Sequence, residues 1–198
     1  MSNKPRASYV RLSPDHRRAA LIEAALQCIA EGGIAAFTVD QVGTRAGVSR
    51  GLVTHHFGSM QALLAAAYGN IYAASIPAIA DLPQDRPLIL SLLDHLFSPS
   101  AFNRQSLNIW LTLWAEISNN PDLRDVHRTQ YMAYHRMVTT TLSRSAPNLA
   151  TAGSLARSLI CLIDGLGLQH CIDPDTMPPE VARQACLDLI TPHTGPLT

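Results

Sequence analysis

The sequence predicts an all-α fold of about nine helices. No stretch of the 198 residues shows the sustained alternation of apolar and polar side chains that marks a half-buried strand. Apolar residues instead recur at intervals of three and four positions, as they do along one face of a helix. Capping residues, prolines and glycines separate the apolar segments, as they do at helix ends. The length allows a sizeable core that is divided at most into a small and a larger domain.

The first helix is predicted to begin at Ser13, because a serine cap is followed by two residues that favour a helix start. Pro14 suits the first helical position, and Asp15 favours the positive end of the helix dipole. The glycines at positions 32 and 33 are expected to end this helix. Its apolar face carries Ile22, Ala25, Leu26 and Ile29.

Two short helices are predicted next. Thr38, with Gln41 three residues later, forms a capping-box pattern at the start of the first one. Gly47 permits a tight turn, and Ser49 can cap the second helix, which is expected to cover residues 50–56. Two short helices joined by a glycine-containing turn are typical of a helix-turn-helix, whose second helix enters the major groove of DNA.

The rest of the chain is predicted to form a helix bundle. Ser59 can cap a long helix that runs to about residue 80. The tail from His193 to Thr198 is expected to be disordered. Further helices are predicted at about 87–97, 104–118 and 122–145. Two more are predicted after Pro147, the first before Pro178 and the second after it.

Charge is distributed unevenly along the chain, although the net charge is zero. Up to residue 60 there are seven basic and four acidic residues, an excess of three that the remaining chain balances. Such an asymmetry indicates an anionic partner for the N-terminal segment. An ordinary solvated surface would carry the same excess, so the charge alone does not decide between the two.

The four cysteines, Cys28, Cys161, Cys171 and Cys186, form no closely spaced pair, and the chain is long enough to fold without disulfides. We expect buried free thiols in a reducing cytoplasm. The N-terminus has no apolar region typical of a secretory signal, and no run approaches the ~20 uncharged apolar residues that span a bilayer. A cytoplasmic location with no membrane partner is therefore predicted.

The segment of residues 38–64 resembles the N-terminal signature of the TetR family of repressors. Two departures stand out, because the family usually has a phosphate-contacting lysine where this chain has Met60, and tyrosines where it has Thr54 and His55. The matching residues are Thr38, Ala46, Gly47, Val48, Ser49, Gly51, His56, Phe57, Ser59 and Leu63.

The resemblance and the chemistry of the DNA grooves together give a set of predicted DNA contacts. A threonine at a helix start offers its hydroxyl and backbone N–H groups to a phosphate. Arg50 can contact a phosphate or guanine O6 and N7, and Gly51 permits close approach. Taken singly, each could be a surface polar residue, and His56 is also expected to pack at the helix end. The predicted contacts are Thr38, Arg50, Gly51, Thr54, His55 and His56.

Two later segments, residues 109–131 and 159–169, resemble the C-terminal domain of the BetI-type regulators. Those proteins repress choline-to-glycine-betaine genes and sense choline. The resemblance implies a DNA-binding domain over residues 1–60, of which 1–12 form a flexible arm, and a ligand-binding and dimerisation domain over 61–198. It also implies a homodimer through the last two helices, although a monomeric core remains the alternative. The matching residues are Trp110, Leu111, Trp114, Ala115, Asp164 and Gly165.

Aromatic side chains at helical spacing, together with an acid in an apolar helix, suit a quaternary ammonium ligand. The expected effector is choline or a related cation. Plain core packing of the aromatics and an unrelated lipophilic effector both stay open. The predicted ligand-binding residues are Tyr68, Tyr72, Trp110, Trp114 and Asp164.

An enzyme is not expected, because the sequence has no nucleophile elbow, phosphate-cradling glycine loop or metal-spaced cluster of histidine and cysteine. No catalytic residue, cofactor or metal is predicted, and His127 and His135 are too far apart for a pair of ligands one helical turn apart. The favoured hypothesis is a dimeric, sequence-specific repressor that a small effector releases from operator DNA. The alternative is a helical interaction module without DNA binding.

Overall fold

The computed structural model describes residues 13–82, 85–144 and 149–195. Within these ranges the chain forms nine helices and no strand, so the all-α prediction is confirmed. The helices are α1 (Pro14–Ala36), α2 (Val39–Ala46), α3 (Arg50–Phe57), α4 (Met60–Ala80), α5 (Leu88–Leu96), α6 (Arg104–Asn119), α7 (Pro121–Ser143), α8 (Leu149–Ile172) and α9 (Pro179–Thr194).

The first helix is capped as expected but does not end where the glycine pair predicted. The Ser13 hydroxyl oxygen accepts a hydrogen bond from the backbone N–H of His16 at 3.3 Å. Gly33 leaves the helical conformation with φ +61° and ψ −155°, a backbone geometry that glycine adopts readily. The chain then resumes one more helical turn up to Ala36. The glycine pair therefore kinks α1 instead of ending it.

Helices α2 and α3 form the predicted helix-turn-helix. Thr38 caps α2, since its hydroxyl oxygen accepts from the backbone N–H of Gln41 at 3.3 Å. Gly47 takes the left-handed conformation (φ 66°, ψ 33°) that makes the turn tight. Ser49 occupies the position before α3 but makes no capping hydrogen bond with its side chain. α3 is one residue longer than predicted and ends at Phe57.

A first hydrophobic cluster holds α1 to α4 together and continues into α6 and α7. At its centre, Leu21 and Ala25 of α1, Val42 of α2 and Leu63 of α4 are all fully buried. The same cluster contains Leu113, Ile117 and Leu123 from α6 and α7. The apolar core is thus continuous across residue 60.

A second hydrophobic cluster unites α5, α7, α8 and α9 with the end of α4. Fully buried side chains include Leu92, Val138, Leu159 and Ile190. An ion-pair network adds a polar link, because Arg183 of α9 donates from Nε to the Asp94 carboxylate of α5 at 2.6 Å. The burial of these apolar side chains is the main favourable contribution to the folding free energy of such a bundle.

Two expectations about the ends and the cysteines need correction. His193 and Thr194 are helical, because α9 continues through Pro192. Gly195 follows the helix, whereas residues 196–198 of the tail and the predicted arm 1–12 lie outside the described residues, as does Pro147. All four cysteines are free, but Cys161 is exposed and Cys171 half-buried, so burial holds for Cys28 and Cys186 alone.

Two helices are long and apolar enough, by length and composition alone, to cross a membrane: α1 and the Thr151–Ile172 part of α8. Length and composition are weak evidence for a membrane span, since the core helix of a soluble protein meets the same criterion. In this fold α1 buries Leu21, Ala25 and Ile29 in the first cluster.

Candidate functional site

The exposed face of α3 is held in a fixed orientation by contacts on its other face. Val53 is buried in the first cluster, and Phe57 packs against the same cluster. The guanidinium carbon of Arg18 lies 4.5 Å from the centre of the Phe57 ring, which is a cation–π contact between α1 and the end of α3. A short helix of eight residues is thereby anchored along its length.

The six predicted DNA contacts lie at the start of α2 and along α3. Arg50, Gly51, Thr54 and His55 are exposed, whereas His56 is half-buried and its ring packs edge-on against that of His55 with centroids 5.7 Å apart. The Thr54 hydroxyl donates to the backbone carbonyl of Arg50 at 3.3 Å. The side chain is exposed, so its methyl group and the oxygen lone pairs remain accessible to solvent. Four of the six therefore form one solvent-facing patch.

Asp40 was not predicted to take part in this surface. Its carboxylate lies 3.0 Å from Nε of Arg50, and both side chains are largely exposed, at 60% and 71% respectively. The 3.0 Å contact is made through Nε, at the base of the guanidinium group, and the Arg50 side chain remains 71% exposed beside it. The guanidinium group is therefore accessible from solvent although Asp40 is close. The signal available in the sequence was an acid in the first turn of α2, which is also an ordinary helix-start residue.

Gly51 is exposed in the first turn of α3, and a Cβ atom built at this position would meet no atom within 4 Å. The helical glycines Gly69, Gly153 and Gly165 share this open space. An alanine would therefore fit at position 51 without a clash, and alanine favours a helix over glycine.

Two further residues bear on the charge of this surface. Arg45 is neutralised by Glu31 of α1, with Nη1 donating to Oε1 at 2.8 Å. Met60, which stands where the family usually has lysine, is partly buried and packs against the first cluster. Both arginines of the helix-turn-helix thus have a carboxylate partner, and Arg50 is the more exposed of the two, at 71% against 34%.

A cavity of about 470 Å³ lies among α4, α5, α6, α7 and α8, and residues of both hydrophobic clusters line it. Its volume falls in the range, about 300–1,000 Å³, that buries a small organic ligand. The walls include four of the five predicted ligand-binding residues: Tyr72, Trp110, Trp114 and Asp164.

Asp164 brings a carboxylate into this largely apolar space. Burial raises the pKa of Asp164 to about 6. No described residue forms an ion pair or a hydrogen bond with its side chain. At neutral pH the cavity therefore holds an anionic group that lacks a cation, and burial of an unpaired charge is costly.

Aromatic rings line the same cavity as this carboxylate. The rings of Tyr72 and Trp110 are 5.3 Å apart at 77°, and those of Tyr72 and Tyr134 are 6.2 Å apart at 66°. Burial and the charge of Asp164 raise the pKa of the Tyr134 phenol, which therefore stays neutral. The faces of such rings attract cations, as does the carboxylate.

Tyr68 lies behind the cavity wall and does not line the cavity. It is fully buried, and its hydroxyl oxygen lies 2.6 Å from Nδ1 of His127 and 3.4 Å from the hydroxyl of Tyr72. His127, which does line the cavity, was missed as a site residue. Its spacing of four from Tyr131, on the same face of α7, was the available signal.

The helix that carries the two tryptophans is tied directly to α1. The Asn108 amide of α6 donates to the backbone carbonyls of Ile29 and Ala30, at 3.1 and 3.2 Å. These carbonyls belong to the turn before the Gly33 kink. The cavity and the helix-turn-helix therefore share a polar link as well as the first cluster.

No group of three or more metal-ligating side chains occurs within the described ranges.

Comparison with known proteins finds two family models in this chain. Residues 21–67 match bacterial regulatory proteins of the tetR family, and residues 85–193, more than half of the chain, match the C-terminal part of BetI-type transcriptional repressors. A curated relative, HTH-type transcriptional regulator BetI 1 of Chromohalobacter salexigens, is 30% identical over 88% of both chains. The BetI regulator of Stenotrophomonas maltophilia is 33% identical over 77% of this chain and 80% of its own.

Solved structures agree in fold. A transcriptional regulator from Pseudomonas aeruginosa PAO1 superposes with a TM-score of 0.75 at 30% identity, covering 92% of both chains. A regulator from Saccharomonospora viridis, solved in complex with choline, superposes with a TM-score of 0.76 at 23% identity, covering 89% of this chain and 96% of that one. The second likeness concerns the fold alone.

Proposed function

Because this chain belongs to the TetR family of bacterial transcriptional regulators and has their BetI-type C-terminal domain, we propose that it is a cytoplasmic homodimeric repressor released from DNA by a small cation. The observation that carries the proposal is the unpaired carboxylate of Asp164 inside an aromatic cavity. Residues 1–60 would bind DNA, and residues 61–198 would bind the effector and dimerise.

The DNA-binding half of the proposal rests on the exposed face of α3. There Arg50 would contact a phosphate or a guanine, and Gly51 would let the helix backbone approach the groove. Thr54, His55 and His56 lie along the same short helix, and Thr38 with the start of α2 would face a phosphate.

A DNA shift assay tests this half. Purified protein should bind the segment upstream of its own gene in preference to a scrambled duplex of the same length at moderate salt. Since phosphate neutralisation releases counterions, the affinity should fall steeply as salt increases. Equal binding to both duplexes would contradict sequence-specific regulation.

The effector half assigns choline or a related quaternary ammonium cation to the cavity. A cation there would gain from the Asp164 carboxylate and from the aromatic faces of Tyr72, Trp110 and Trp114. Because both tryptophans of the chain line the cavity, their fluorescence reports on its occupancy.

Titration of tryptophan fluorescence with choline is the direct test. We expect a saturable change that is absent in Asp164→Asn, and a smaller one with the neutral isostere 3,3-dimethylbutan-1-ol. If choline leaves the fluorescence unchanged and calorimetry detects no heat, the cationic effector is wrong. A lipophilic metabolite is then the remaining candidate, which the many aliphatic residues of the cavity wall favour.

The dimer is proposed to form through α8 and α9. Both helices present exposed apolar side chains to solvent, namely Leu168 and Ile172 on α8 and Val181 on α9. A dimer would bury them and would place two recognition helices on successive half-sites of the operator.

A further inference from the structure

The cavity has two chemically different ends. Its aromatic end belongs to the first hydrophobic cluster and is formed by Tyr72, Trp110, Trp114 and Tyr134. Its apolar end belongs to the second hydrophobic cluster, and is formed by Ile79, Leu96, Phe102, Leu107 and Ile160.

The carboxylate lies where the two ends meet. On α8, Asp164 is one turn from Ile160, which belongs to the apolar end, and it lines the same cavity as Tyr72 and Trp110. Tyr134 packs against both clusters, so it also lies where the two ends meet. A cationic head at Asp164 would therefore contact the aromatic rings, and the aliphatic walls would lie beside it.

The two ends are separated along α4. Tyr72 and Ile79 are seven residues apart on that helix, which corresponds to about 10 Å along its axis. A compact cation seated at the carboxylate cannot cover both positions. The apolar end would then hold water against aliphatic side chains, which is unfavourable.

The residues near the apolar end offer little to a second charge. His95 and Ser106, which border Leu96 and Leu107 in sequence, are polar side chains of that region, and Ser75 lies between Tyr72 and Ile79 on α4. Among the described residues that line the cavity, Asp164 and the histidines are the only acidic or basic ones. The lining thus fits one positive charge followed by a hydrocarbon segment.

We propose that this cavity takes a quaternary ammonium cation with an apolar tail, whose head lies against Asp164 and whose tail fills the apolar end. The proposal rests on the cavity being the effector site, and it narrows the effector class from small cations to amphiphilic ones. Choline itself would lie at the carboxylate and leave most of the apolar end unfilled.

An alkyl series tests the proposal on the unmodified protein. Dissociation constants for tetramethylammonium, choline and the butyl, hexyl and octyl trimethylammonium ions are measured by tryptophan fluorescence and calorimetry. Each added methylene that leaves water should tighten binding about three- to fourfold until the tail reaches the end of the cavity. 1-Octanol, which has the tail without the charge, should bind at least tenfold more weakly than the octyl cation.

A pair of matched variants locates the tail. Ala101 lines the cavity beside Phe102, whereas Ala115 is on the exposed face of α6. Ala101→Phe should abolish the gain from the tail and leave choline affinity within twofold, while Ala115→Phe should change neither.

The outcomes separate this proposal from the one on which it rests. If choline binds and longer tails give no gain or weaken binding, the amphiphilic class is wrong and the cationic effector stands. If 1-octanol matches the octyl cation, the requirement for charge is wrong. If no member of the series binds saturably, both proposals fail together.

Discussion

At the scale of single residues, ionisation of Asp164 would favour binding of a cation but lowers the stability of the folded chain. Its pKa of about 6 in the folded chain exceeds the usual aspartate value of about 3.9. Asp164 therefore contributes stability that is fully present below about pH 4 and is lost as the pH rises through 6. Such a penalty at a functional group is typical of binding sites.

The first prediction follows from this pH dependence of the folding stability. Without ligand, Asp164→Asn should be more stable than the unmodified protein by about 1–2 kcal/mol at pH 7.5, and the difference should vanish near pH 4. Thermal unfolding of both proteins at several pH values measures it, and saturating choline should restore stability to the unmodified protein alone. A difference that is independent of pH would show that ionisation of Asp164 is not the cause.

The second prediction concerns Arg50. Arg50→Ala should weaken operator binding about 10- to 100-fold, because a good arginine contact with guanine contributes about 1–3 kcal/mol. Arg128→Ala is a matched control, since Arg128 is equally exposed at 71% and also pairs with an aspartate, yet lies on α7. Fluorescence anisotropy with labelled operator gives both constants. Equal losses in the two variants would point to total charge instead of a contact.

At the scale of the helices, two glycines of the helix-turn-helix have opposite roles. Gly47 has a positive φ of 66° at the turn, whereas Gly51 lies in α3 with open space where the methyl group of an alanine would point. A side chain at a left-handed position costs roughly 1–2 kcal/mol, and alanine in a helix is favoured over glycine.

The third prediction uses this contrast. Gly47→Ala should lower the melting temperature, and Gly51→Ala should keep or raise it while weakening operator binding at least tenfold. Differential scanning calorimetry and anisotropy on the same two variants provide the test. Unchanged DNA affinity in Gly51→Ala would mean that the helix backbone does not approach the groove closely at that point.

The helices themselves were predictable because their signals are local. Ser13, Thr38, Gly47 and Ser59 each act within one turn of the helix that they start or end, so the sequence contains the whole interaction. The extent of α1 was mispredicted, because a glycine pair can either end or kink a helix, and here Gly33 leaves the helical conformation while the chain resumes it up to Ala36.

Some residues of the candidate site could not be predicted from their spacing in the sequence, because their position depends on how the helices pack. Tyr68 and Tyr72 repeat at the same interval as Trp110 and Trp114, yet Tyr68 is fully buried behind the wall. Asp40 and His127 enter the site because α2 meets α3 and α7 meets α4, which no local pattern indicates.

At the scale of the whole molecule, the cavity is joined to the DNA-reading face by continuous packing. Trp110 and Trp114 pack on the first cluster, which also holds Val53 of α3. The Asn108 bonds to α1 and the Tyr68–His127 contact between α4 and α7 add two polar links. A ligand that moves α6 or α7 would therefore shift α1 and α4, provided that it favours one arrangement over the other.

The fourth prediction concerns assembly. Ile172→Asp should convert the dimer to a monomer and reduce operator affinity, because Ile172 is 67% exposed on the proposed interface helix α8. Met132→Asp is the control, since Met132 is 51% exposed on α7. Light scattering after size-exclusion chromatography gives the mass of each. A dimer that survives the change at Ile172 and is lost with the change at Met132 would place the interface elsewhere.

The central claim is that a cation in the cavity releases the protein from its operator. The most direct test is to titrate a preformed complex of the full chain and its operator with choline and with octyltrimethylammonium, following anisotropy of the labelled DNA. We expect saturable release by both cations in the unmodified protein and no release from Asp164→Asn, which should still bind the operator. A complex that persists when tryptophan fluorescence shows the cavity to be saturated would contradict the claim.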